Sequence, residues 1–153
     1  MRYGIFLAAG LFFFLAAPPS VHPESLTFYQ NGLETKDLDR LIKENQPGPD
    51  EPLRAVLLHT TEQESVHLVL IRTAEKPHIH QTHDGFVVLK RGTGMLHIGK
   101  ETLAMKAGDS VFIPRGTLHF FENTSDEVAV ALAVFTPPYR GKDTVPVPER
   151  GSR

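Results

Sequence analysis

The sequence predicts an all-β domain with one short helix near its start, on three observations. From Leu53 to Phe135 the chain is a succession of short runs rich in β-branched and aromatic residues, most of them bounded by turn signals. No stretch of ten residues in that segment holds a clean helical period. Ten of the twelve prolines lie outside it, as expected where backbone N–H groups must join a sheet ladder.

Composition sets the outer limits. The chain has 153 residues, and about 135 remain once the first apolar segment is set aside, enough for one ordinary domain. Hydrophobic residues make up 41% and charged residues 22%, the balance of a folded domain rather than a disordered one. Lys and Arg number 16 against 18 Asp and Glu, giving a net charge of −2. That balance argues against a nucleic-acid partner, which needs a basic face to neutralise phosphates. The absence of cysteine excludes disulfides, thiolate metal sites, a cysteine nucleophile and a lipid anchor on an N-terminal cysteine.

Taken in order, the elements read as follows. Arg2 precedes the uncharged run Ile5 to Ala17, which Pro18 and Pro19 end. A spanning helix needs about 20 apolar residues. The run is shorter than that, so residues 1–20 read as an export signal and the mature protein as secreted or periplasmic, with no membrane span. Residues 21–52 form an extension. Within it Lys36 to Glu44 carries Leu38, Leu41 and Ile42 at helical spacing, with Thr35 or Asp37 as the cap. Gln46 to Pro52 is a linker. Residues 53–136 form the β core, in the runs RAVLLHT, SVHLVLIR, FVVLK, GMLHIG, ETLAM, SVFIP, LHFFEN and VAVALAVF. The tail over residues 137–153 is proline-rich and is expected to be irregular.

Chemistry concentrates in the histidines. His78 and His80 share one face of a strand, because successive strand residues point to opposite sides. Neutral imidazoles in such a pair are good ligands for Zn, Fe, Ni or Cu and acceptable ones for Mn. His83 and Asp84 follow closely, and His119 comes much later. From Gly108 the chain reads GDSVFIPRGTLHFFEN: glycine, five residues, Pro114, one residue, Gly116, two residues, His119, three residues, Asn123. This matches, at every specified position, the second sequence motif of the cupin family. The stretch HIHQTHDGFVVLKRG, from His78 to Gly92, resembles the first cupin motif except at its glutamate.

The resemblance covers Leu53 to Phe135. It implies a single cupin barrel, a double-stranded β-helix or jelly roll. It also implies that His78, His80 and His119 meet around one divalent transition metal ion with coordination positions left open. Gly85 stands where the family usually has glutamate. His83 is the preferred fourth ligand, Asp84 the alternative, and no fourth ligand the third option. Asn123 reads as a structural residue of the turn after the strand. Arg115 reads as a solvated loop charge, and His22, His59, His67 and His97 as ordinary surface or core histidines.

The function expected on this resemblance is an exported metal-binding cupin. It would act on a small oxygen-bearing ligand, with dioxygenase-like oxidation as the leading chemistry. Two alternatives stand beside it. One is a binding or sensing module without turnover. The other is a sugar isomerase or epimerase, for which no base beyond the histidines is evident. Metal affinity is expected to fall below a pH of about 6.5, because imidazole must be neutral to ligate. The resemblance further implies a homodimer formed through edge strands, with Leu26 to Tyr29 available as an exchanged strand.

Overall fold

Residues 24–29, 32–141 and 144–146 are described by the computed structural model. The export signal read over residues 1–20 and His22 lie outside them. In chain order the elements are β1 (Ser25–Tyr29), β2 (Leu33–Asp37), α1 (Leu38–Glu44), β3 (Leu53–Thr60), β4 (Ser65–Ile71), β5 (His78–His80) and β6 (Asp84–Arg91). They continue with β7 (Thr93–Ile98), β8 (Glu101–Lys106), β9 (Ser110–Ile113), β10 (His119–Asn123), β11 (Ala129–Thr136) and β12 (Thr144–Pro146). Among the described residues no helix is long and apolar enough to cross a membrane.

Two five-stranded sheets, ordered β3-β4-β11-β6-β9 and β12-β5-β10-β7-β8, supply the walls of the barrel. Ile71, Leu89, Leu96, Met105, Phe121, Ala129 and Ala131, drawn from both sheets, form one buried cluster between them. The run VAVALAVF is apolar on both faces because β11 is covered on both. Ala129, Ala131, Ala133 and Phe135 are buried on one side, while Val130 packs on the other with Leu68 and Leu70 of β4. This is the pattern of a strand in the middle of a covered sheet rather than at a wet edge.

Helix α1 supplies that outer cover. Its buried Leu38 and Ile42 pack with Leu68, Leu70 and Val130. Fully burying such a side chain is worth about 1.5–3 kcal/mol relative to exposure. Of the two candidate caps, Asp37 serves: its side chain accepts a hydrogen bond from the Arg40 N–H at 2.8 Å. The helix begins at Leu38 rather than Lys36 because Lys36 and Asp37 complete a hairpin, pairing with Leu26 and Ser25. Leu26 to Tyr29 is therefore paired within its own chain. Within the tail, residues 144–146 form β12, which adds to β5 with Thr144 opposite His80 and Pro146 opposite His78.

Candidate metal centre

Alternation along β5 turns His78 and His80 to one face. Antiparallel pairing then sets His119, the first residue of β10, directly opposite His78. The three rings meet, with centroids 5.0 Å apart for His78 and His80, 4.3 Å for His78 and His119, and 5.4 Å for His80 and His119. One ring nitrogen from each lies within 4.8 Å of the others. Such a set could hold one metal ion.

The donor chemistry fits that use. The His78 Nδ1 lies 2.8 Å from the Lys76 carbonyl oxygen, and the His119 Nδ1 lies 2.9 Å from the Thr117 carbonyl oxygen. A carbonyl only accepts, so both Nδ1 atoms carry the proton. In a neutral ring that leaves Nε2 as a bare acceptor. Outer hydrogen bonds of this kind fix the tautomer and aim of a metal-ligating histidine. Burial holds the His119 pKa down at about 4, with smaller contributions from His78 and His80, so its ring is neutral at physiological pH.

The second motif also ties itself to the first. β9 ends at Ile113, and Gly116 turns the chain with φ +77°, a conformation that side-chain-bearing residues rarely adopt. Its N–H then donates to the His80 carbonyl at 2.7 Å. Asn123 organises the far end of β10. Its amide donates to the carbonyls of Ile71, Arg72 and Glu127, and its Oδ1 accepts from Ser125.

His83 and Asp84 stand apart from the three rings. The His83 Nε2 is 3.1 Å from the Pro138 carbonyl and its Nδ1 is 3.0 Å from the Thr82 hydroxyl. Its centroid lies 6.4 Å from that of His80, with Tyr139 at 5.5 Å. Asp84 is taken by Arg115. It accepts from the Arg115 backbone N–H at 2.8 Å and from the guanidinium at 3.1 Å, and these bonds lower its pKa to about 2. Arg115 is thus half of an ion pair rather than a lone loop charge. His67 is buried against Ser65, Phe135 and Tyr139, and burial lowers its pKa.

One carboxylate at the site escaped the sequence reading. Glu75 precedes His78 by three residues, and its only sequence signal is that proximity. β5 pairs with β10 at His78 and His119. Next to that pair, Glu75 takes over the ladder. Its backbone N–H donates to the Phe121 carbonyl at 2.9 Å, and its Oε2 accepts from the Phe121 N–H at 3.0 Å. Burial raises the pKa of its carboxyl, with His78 and the Phe121 N–H partly offsetting that effect.

The rings line a partly open cavity of about 80 Å³, walled mainly by aliphatic side chains such as Val69, Ile71, Leu89 and Val111. Outside them is a groove of about 350 Å³ bordered by Pro52, His67, Lys76 and Tyr139. Glu75, His78 and His80 border both spaces, and His119 borders the inner one, so two of the three nitrogen donors stand where the apolar chamber meets the groove.

Comparison with known proteins agrees with this architecture. The family described as "Cupin domain" matches residues 65–135. An uncharacterized protein of Aquifex aeolicus (strain VF5) is 43% identical over 114 residues, which is 74% of this chain and 93% of that protein. A crystal structure of a Thermus thermophilus protein superposes with a TM-score of 0.60 at 25% identity, covering 68% of this chain and 97% of that one. A Klebsiella pneumoniae protein described as having a double-stranded β-helix domain gives a TM-score of 0.60 at 17% identity. It covers 71% of this chain and 95% of its own.

Proposed function

The chain belongs to the cupin superfamily, and on that premise we propose that it binds one divalent transition metal ion through His78, His80 and His119 and acts there on a small oxygen-bearing molecule. One observation carries the reading. Two of the three rings donate Nδ1–H to backbone carbonyls, which leaves each Nε2 free of its proton for an ion. An ion in that position supplies Lewis-acid or redox chemistry, and oxidation of the dioxygenase kind is the reaction we favour. Three protein nitrogens leave coordination positions open for a substrate. The chain's own part is to hold the rings in place, keep His119 neutral by burial, and surround the substrate with aliphatic walls that exclude water.

Elemental analysis of the purified mature protein tests the proposal. We expect close to one transition metal per chain, and almost none in a His78→Ala, His80→Ala double variant of unchanged circular dichroism. Equal metal in both proteins would remove the reading. Activity is tested by oxygen uptake with a panel of phenols, diketones and organic acids. A compound that raises the melting temperature but is never converted would favour binding without turnover.

We also propose that residues 1–20 direct export and are removed. The intact mass of the protein recovered from cell fractions is the check. Recovery of the full chain from the cytoplasm alone would count against it.

A further inference from the structure

Resting on the metal reading above, we propose that Glu75 is a ligand-contacting residue of this site, whose carboxylate accepts a hydrogen bond from a donor group adjacent to the metal-binding oxygen of the ligand.

The placement supports this first. Glu75 borders both the inner cavity and the outer groove, beside His78 and His80. A molecule reaching from the groove to the rings passes its carboxyl group. It is the one carboxylate among the described residues that line the inner cavity. Gly85 lines the same cavity without a side chain to offer. The acidic group this barrel offers its ligand therefore comes from the segment before β5.

The carboxylate is also held in advance. The Phe121 N–H fixes Oε2 at 3.0 Å, and the backbone is anchored by the bond from Glu75 N to Phe121 O at 2.9 Å and by the bridge between Ala74 and Glu122. A carboxylate offers about four acceptor positions, so the bond to Phe121 leaves acceptor capacity for a ligand. A purely structural role would not need an acid. A backbone N–H is satisfied by any neutral acceptor, whereas burying an ionisable group is costly. The donor atoms that come within 4.8 Å of one another are those of His78, His80 and His119, and the Glu75 carboxylate is bonded to the Phe121 N–H instead. The ligand class that follows has a hydroxyl or amide N–H next to its metal-binding oxygen and is small enough for the chamber.

The test uses the full mature protein loaded with cobalt(II) and two probes with the same oxygen pair, acetohydroxamic acid and N-methylacetohydroxamic acid. Only the first carries an N–H. Binding is followed by the visible absorption of cobalt. The wild type should prefer the first probe at least about tenfold, the usual worth of one charge-assisted hydrogen bond. Glu75→Gln should lower that preference about threefold or more, and Glu75→Leu should bring it to about twofold or less. Cobalt affinity should change less than about threefold in either variant. Should Glu75→Leu fail to fold, the nearly isosteric Glu75→Gln decides alone. A preference unchanged in a folded variant overturns the proposal, and so does loss of cobalt from Glu75→Gln, which would make Glu75 a metal ligand. A wild type that takes up no cobalt overturns the metal reading together with this one, whereas cobalt uptake with an unchanged preference overturns this one alone.

Discussion

His119 and Glu75 are titratable groups of one cavity, and burial acts on them in opposite senses. The His119 pKa is about 4, against an ordinary value of 6.5. Between those values the unfolded chain carries a proton there that the folded chain refuses. Stability contributed by this ring is present above pH 6.5 and lost as pH falls toward 4, to a limit of about 3 kcal/mol. Burial of His67 acts in the same direction. Glu75 runs the other way, because its raised pKa makes the folded chain hold its proton longer. The effect of His119 is therefore best read against a variant that cannot titrate. Relative to His119→Asn, the wild type should lose up to about 3 kcal/mol between pH 7 and 4 in denaturant unfolding of the metal-free proteins. Parallel curves would contradict the assignment. At the same scale, His83→Ala and Asp84→Asn should each keep the wild-type metal content, since the Pro138 carbonyl and Arg115 engage those side chains away from the three rings. Loss of metal from either variant would return it to the ligand set.

Single elements carry the site, and one of them tolerates very little change. Gly94 in β7 is buried, and a Cβ there would meet the Phe121 ring at 2.1 Å and the Glu122 carbonyl at 2.3 Å. Phe121 in turn positions Glu75, so Gly94→Ala should cost about 2–4 kcal/mol through overpacking. It should also disturb the cavity, visible as a fall in melting temperature and a changed cobalt spectrum. Gly116 faces open space, and replacing it incurs only the left-handed backbone strain, about 1–2 kcal/mol. Strand β12 pairs along the outer edge of β5, opposite both of its histidines. Truncation after Gly141 should loosen metal binding as well as lower stability; equilibrium dialysis against zinc is the check.

Across the molecule, the legible parts are those where spacing alone encodes geometry. The turn from Pro114 through Gly116 to His119 needs particular residues at fixed intervals, and so do the alternating His78 and His80. Strand boundaries are legible for the same reason, because glycine and polar turn residues bracket runs such as VFI and HFFEN. The role of Glu75 is not, since it depends on β10 arriving beside it from more than forty residues away. The strand formed by Thr144–Pro146 is hidden by its proline, Pro146, which is tolerated because this strand lies at the sheet edge. Asp84 reads in the sequence as a metal-ligand alternative because its partner, Arg115, is distant along the chain and adjacent only after β6 and β9 pair.

The clasp from Gly116 to the His80 carbonyl has a kinetic corollary. Before β5 and β10 come together, no pair of neighbouring histidines holds the third ring, and the central pairing of β4 with β11 joins Ser65 to Phe135. Sequence-distant pairings of this sort close slowly. An ion would thus recognise only the finished barrel, so excess metal should leave the refolding rate unchanged within about twofold while retarding unfolding at least tenfold. Stopped-flow experiments with and without zinc would reveal this asymmetry, and faster refolding with zinc would mean that the cation gathers its ligands before the walls are built.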